Sequence, residues 1–236
     1  MGALFKLLFC IQAFATPAHS EPSTTLEIAL SADVAPFSYM ENGTLHGINY
    51  EILNQLSQIT GMKFTYKLYP HIRLQNSLSK INPDMTIFFS VSCDKYSDLY
   101  EKKESLYTAK PTLYLKESVS YDKEKIRVGM LRGACTDLST KYLKRELITD
   151  VTDTSQVIEM LYTGRLDGIC GLPAMVNYLL KQRKHSVKLI PYKTDSQTLE
   201  AVICRKKNLS PELKKKLDEA FKSVKIPSLD VPVSGL

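Results

Sequence analysis

The feature that most constrains this chain is an order of elements that occurs twice: strand, helix, strand, helix, strand. In the first half, Leu26-Glu27-Ile28-Ala29-Leu30 reads as a strand, and Ile48, Ile52, Leu53, Leu56 and Ile59 then fall on one helical face. Lys63 to Leu68 follows as a strand, Ile72 to Leu78 as a helix and Met85 to Phe89 as a strand. In the second half, Ile126 to Met130 is a strand, Leu138 to Leu147 a helix, a short strand lies near Val151, Gln156 to Tyr162 is a helix and Gly168-Ile169-Cys170 a strand. The echo reaches single residues: the spacing of Leu78 and Asp84 at one helix-to-strand junction equals that of Leu161 and Asp167 at the matching one. Alternating strands and helices predict an α/β fold with parallel sheets covered by helices, and two such units predict two lobes. Ligands of such sheets bind beyond the carboxyl ends of the strands, so two facing lobes share one cleft.

Two crossings are expected between the lobes. Ser105 to Val119 is extended and carries Pro111, which suits a crossing strand and not a central hydrogen-bonded position. A second crossing near Thr194 to Arg205 contains the strand Glu200 to Cys204 and returns the chain to lobe one. The helix after it has Ser210 as N-cap, Pro211 in its first turn, and Leu213, Leu217 and Phe221 on one side. The expected organisation is an export signal over 1–20, lobe one over 24–110, lobe two over 111–197, and a return to lobe one with a C-terminal helix over 198–236.

The export signal is read from Lys6, the short apolar run Leu7 to Ile11, and small residues at Ala13-Phe14-Ala15 and Ala18-His19-Ser20. That run is far below the roughly 20 residues a membrane span requires, and Phe9 before Cys10 argues against lipidation. The net charge of +6 includes Lys6, and the remaining basic groups sit mainly on helices with apolar spacing. They read as solvated faces more readily than as a nucleic-acid patch, so no nucleic-acid partner is expected. Cys93, Cys135, Cys170 and Cys204 remain after cleavage, and an exported chain can pair them in three ways. None has metal-ligand spacing. No HExxH, GxSxG or phosphate-loop spacing occurs, so neither a cofactor nor a metal is expected. Of the histidines outside the signal, His46, His71 and His185, none is in such a motif. Asp33 and Glu41 are the acid or base candidates near the cleft, and they read as turn and surface carboxylates.

Asn42-Gly43 fits a type I′ turn, which needs positive φ at both central residues, between Phe37 to Met40 and Thr44 to His46. Gly61 stands where a left-handed cap would end the following helix. Phe37 and Tyr39 are candidates for the mouth of the pocket.

PFSYMENGTLHGINYEIL, LSKINPD, RVGMLRGACTD, TGRLDGICGLPAMVNYLL and LSPELKKKLDEAF, in this order and spacing, resemble the family 3 extracellular solute-binding proteins of the polar amino acid type. The resemblance implies a monomeric periplasmic receptor of the two-lobed type II binding-protein fold. Such a receptor closes on a small polar ligand and usually delivers it to an ABC permease. It also implies that this chain departs from the pattern. Members that hold free amino acids commonly place an arginine soon after the third strand, where this chain has Ser90-Val91-Ser92-Cys93-Asp94-Lys95. Lys95 is a point charge without the planar fork that grips a carboxylate. Where members place an acidic partner for the α-ammonium stands Leu172. The ligand is therefore expected to be small and polar or anionic, with ordinary α-amino acids in doubt.

Arg73, in Tyr69-Pro70-His71-Ile72-Arg73, resembles the arginine of a P-W-x-R segment and is a candidate for an anionic group. Arg132 to Thr136, including Cys135, turns from a strand into a helix whose N–H groups could receive an anion. One of Phe88 and Phe89 should face the cleft by strand alternation. The lobe-two cysteines fall at the ends of neighbouring strands in a 2-1-3 order, so Cys135 with Cys170 is the expected disulfide, leaving Cys93 with Cys204. Two further readings are an exported sensory module without a transporter and an enzyme of the cyclohexadienyl dehydratase type on the same fold.

Overall fold

A computed structural model describes residues 24–182, 187–192, 196–227 and 229. The expected export signal, His185 and Thr194 lie outside the described residues. The first half supplies β1 (Thr25–Ser31), β2 (Asp33–Val34), β3 (Ser38–Glu41), β4 (Thr44–His46), α1 (Ile48–Thr60), β5 (Lys63–Tyr69), α2 (His71–Ile81), β6 (Met85–Phe89), α3 (Ser90–Asp94) and β7 (Tyr100–Ala109). The second half supplies β8 (Thr112–Lys116), β9 (Val128–Leu131), α4 (Thr136–Tyr142), β10 (Ile148–Val151), α5 (Thr154–Tyr162), β11 (Gly168–Gly171), α6 (Pro173–Lys181) and β12 (Leu189–Pro191). The chain ends with β13 (Leu199–Lys206) and α7 (Pro211–Phe221).

Two five-stranded sheets result, ordered β5-β1-β6-β13-β7 and β10-β9-β11-β8-β12. Each begins with its own second, first and third strands in parallel and is extended by an antiparallel strand, β13 on β6 and β8 on β11. The repeat seen in the sequence is thus a repeat of topology. Strand alternation explains the cores. On β1, Leu26, Ile28 and Leu30 join Ile52, Leu53 and Leu56 of α1 and Leu217 and Phe221 of α7, whereas Ala29 joins Leu74 and Leu78 of α2 on the opposite face. On β11, Ile169 joins Val157, Ile158 and Leu161 of α5, and Cys170 joins Leu138 of α4 on the opposite face.

The chain passes between the sheets at Lys110-Pro111, so Pro111 joins two strands and is a member of neither. It returns between β12 and β13. The hairpin at Asn42-Gly43 has both residues at positive φ, 50° and 78°, as a type I′ turn requires. β2 adds a third strand to this hairpin. Gly61 caps α1 at φ 68°, and Ser210 Oγ accepts the N–H of Leu213 at the start of α7. One expected helix is shorter. α4 stops at Tyr142 and a separate 3-10 turn covers Arg145–Leu147, because Leu143 becomes extended (φ −126°, ψ 152°) and turns its side chain into the core.

A cleft between the lobes as candidate ligand site

β6, β9 and β11 all point their carboxyl ends at one cleft of about 340 Å3. Lobe one contributes Phe88 and Phe89 from the end of β6, Val91 and Ser92 from α3, and His71 and Gln75 from α2. Lobe two contributes Leu131 and the residues from Gly133 to Leu138 after β9, and Gly171, Leu172 and Met175. Pro111, Ser196 and Leu199, from the segments that connect the lobes, also line it. The lobes approach closely at Gly133, whose φ is 83°: a Cβ there would stand 2.6 Å from Cδ1 of Ile72 in the opposite lobe.

The wall is mainly apolar. Among its described residues no Lys or Arg appears, and Asp137 is the carboxylate. His71 holds Ser31 Oγ through Nδ1 at 3.2 Å, and burial lowers its pKa, which favours the neutral imidazole. Gln75 Nε2 donates to Ser92 Oγ at 3.4 Å. Ser196 Oγ is buried and has no hydrogen-bond partner among the described residues.

Of the residues singled out in the sequence, Phe88, Cys135, Thr136 and Leu172 line this cleft. Ser90 opens α3 between the cleft-lining Phe89 and Val91 and is not itself part of the wall. The cationic candidates lie elsewhere. Arg73 is exposed, its guanidinium 5.6 Å from the centre of the Tyr69 ring. His71 and Gln75, one helical turn apart on α2, share the cleft face, and Arg73, two residues after His71, points elsewhere on the helix. Lys95 is exposed beyond α3 and donates to Asn76 Oδ1 at 3.2 Å. Arg132 is also exposed and outside the wall. In the turn it opens, two N–H groups are taken by backbone carbonyls, Arg132 to Val151 at 2.8 Å and Ala134 to Leu131 at 2.9 Å.

Phe37 is 4% exposed and stacks on Tyr107 at 5.5 Å, within an apolar cluster that also holds Ile158, Met175 and Leu179 of lobe two. Tyr39 lies in a second interlobe cavity of about 380 Å3, 5.4 Å from the ring of Tyr178. Burial, and then contact with Tyr39, push the Tyr178 phenol above its ordinary value. Asp33 and Glu41 line that second cavity too. Disulfides join Cys135 to Cys170 and Cys93 to Cys204, with Cα–Cα distances of 6.3 and 5.8 Å. His71, Gln75, Ser92, Asp137, Met175 and Ser196 were not legible as cleft residues, although the helical spacing of His71 and Gln75, following a strand end, was the available signal.

Residues 26–226 match the family model of bacterial extracellular solute-binding proteins, family 3. The chain belongs to this family. Family 3 proteins are mostly binders and typically periplasmic. No curated protein sequence matches this family 3 chain. Solved structures share its fold. The arginine-, lysine-, histidine-binding protein ArtJ of Geobacillus stearothermophilus is 21% identical with a TM-score of 0.69, over 85% of this chain and 89% of that one. A histidine kinase sensor domain similar to periplasmic binding proteins is 13% identical with a TM-score of 0.68, over 85% and 90%. The VFT2 domain of Bordetella pertussis BvgS is 16% identical with a TM-score of 0.64, over 85% and 88%. No helix among the described residues is long and apolar enough to cross a membrane.

Proposed function

We propose that this protein is an exported receptor that closes its lobes on a small ligand other than an ordinary α-amino acid and delivers it to an ABC permease. The observation that carries this reading is the cleft at the carboxyl ends of β6, β9 and β11, lined from both lobes with no Lys or Arg in its described wall. A ligand touching both walls favours the closed form by its differential affinity, and two main-chain crossings allow the rotation. A free α-carboxylate would find no cationic partner among the described residues of the wall, and Leu172 offers an ammonium no charge. No chemical step is needed for such a role. Thermal-shift screening of the exported protein against amino acids, dicarboxylates, amines and small peptides tests it, because a ligand stabilises by mass action. Stabilisation without turnover is the expected result; strong stabilisation by ordinary L-amino acids would overturn it.

The likeness to a histidine kinase sensor domain supports a second reading, an exported sensory module. Uptake measurements in cells lacking the protein separate the two: a transport receptor is required for accumulation of the ligand, a sensor is not.

A further inference from the structure

We infer that the cleft selects an amine with an apolar body and no carboxylate, its ammonium held by Asp137. This rests on the receptor reading above and names the ligand class of the same site. Asp137 lines the cleft at its solvent-exposed side, and no hydrogen bond or ion pair of its carboxylate is present among the described residues. A carboxylate facing a ligand space with no Lys or Arg among its described residues attracts ammonium and repels carboxylate, and it does so most strongly when water is displaced by the ligand. The rest of the wall agrees in sign and polarity. Phe88, Phe89, Leu172 and Met175 offer an apolar surface for the body of the ligand. The remaining polar groups are uncharged acceptors or donors. His71 has one ring nitrogen committed to Ser31, and Ser196 has a buried hydroxyl lacking a partner among the described residues. A buried hydroxyl in this position gains a hydrogen bond when a ligand N–H or O–H arrives. The volume, about 340 Å3, lies within the range of small-molecule sites.

Asp137 also lies in the first turn of α4, where a carboxylate is electrostatically favoured. The test must therefore read selectivity and not stability alone. Calorimetric titration of the exported protein with 2-phenylethylamine, phenylalanine, 3-phenylpropanoate and 3-phenylpropanamide compares one apolar body with four head groups. Pentylamine, norleucine and hexanoate repeat the comparison on an aliphatic body. The amines should bind about tenfold or more tighter than their acid and amino acid counterparts. Asp137→Asn should weaken the amine about tenfold and leave the amide unchanged, a difference that a purely helix-stabilising aspartate would not produce. Equal or tighter binding of an acid or an amino acid overturns the inference and leaves the receptor reading standing. So does an Asp137→Asn protein that keeps its amine affinity, or an amine set that stays silent while the wider screen finds another ligand. Silence across the whole screen overturns the receptor reading itself.

Discussion

Asp167 and Arg127 bind each other reciprocally: the carboxylate of Asp167 accepts the backbone N–H of Arg127 at 2.9 Å, and the N–H of Asp167 donates to the Arg127 carbonyl at 2.8 Å. Asp84 makes the same two bonds with Glu27, both at 2.8 Å. In each lobe one aspartate therefore ties the entry of the third strand to the main chain at the first. Arg127 adds its guanidinium to Asp167 at 2.8 and 2.9 Å.

That guanidinium sets a pH prediction. Its hydrogen bond lowers the Asp167 pKa, against a smaller opposing effect of burial. A depressed native value stabilises the fold above the unfolded value, near pH 4, and the stabilisation is lost as pH falls through the native value. Asp167→Asn should cost about 1.5 kcal/mol at neutral pH. The difference from the parent should shrink towards about pH 3, as followed by urea denaturation at both pH values.

A buried cation gives a larger effect. Arg205 is 2% exposed and pairs with Asp218 at 2.7 Å and Glu101 at 3.0 Å, joining β13, β7 and α7. It also donates to the Lys214 carbonyl at 3.0 Å. Arg205→Ala should cost about 3 kcal/mol in chemical denaturation. Arg205→Lys should recover little of it, because an ammonium cannot reach three acceptors as the planar fork does.

Asp33 works in the opposite direction. Burial and then the charge of Asp153, on the opposite lobe, raise its pKa. A raised carboxylate value means that the folded state is penalised as pH rises through it, and the penalty is absent below the unfolded value of about 4. Asp33→Asn should therefore raise the melting temperature at pH 7 and leave it unchanged near pH 3, which paired thermal melts will show.

Gly133 governs the approach of the lobes. With φ at 83° and Ile72 2.6 Å from a notional Cβ, Gly133→Ala combines backbone strain with a contact across the cleft. Closure should become less favourable and the affinity for any cleft ligand should fall about tenfold, since apparent affinity scales with the closed population. Small-angle scattering with and without ligand would report the shift, and an unchanged closed fraction would refute it.

Much of the fold was legible because its signals are periodic. The alternation on β1, the apolar face of α1 and the Asn42-Gly43 turn each depend on residues close in sequence. The repeated Leu78–Asp84 and Leu161–Asp167 spacing was legible too, because both aspartates serve the same bond pattern. The site was less so. Arg73, Lys95 and Arg132 stand near strand ends, as a ligand-binding cation would, yet the phase of α2 hands the cleft to His71 and Gln75, and α3 leaves Lys95 beyond it. Helix phase and the start of a five-residue helix depend on tertiary packing that local pattern does not carry. The same is true of Leu143, whose burial ends α4 earlier than its apolar spacing suggests.

The two disulfides have a topological consequence. Cys135–Cys170 lies within lobe two, and Cys93–Cys204 joins α3 to β13 within lobe one, at a sequence separation of 111. Neither bond bridges the lobes, so oxidation stiffens each body while the two main-chain crossings keep their freedom. The Cys93–Cys204 bond also makes a covalent ring that contains all of lobe two and both crossings. A protease that cuts a single site anywhere between these cysteines will linearise the ring without releasing a fragment. The nicked chain will run as one species until a reductant is added, and then as two.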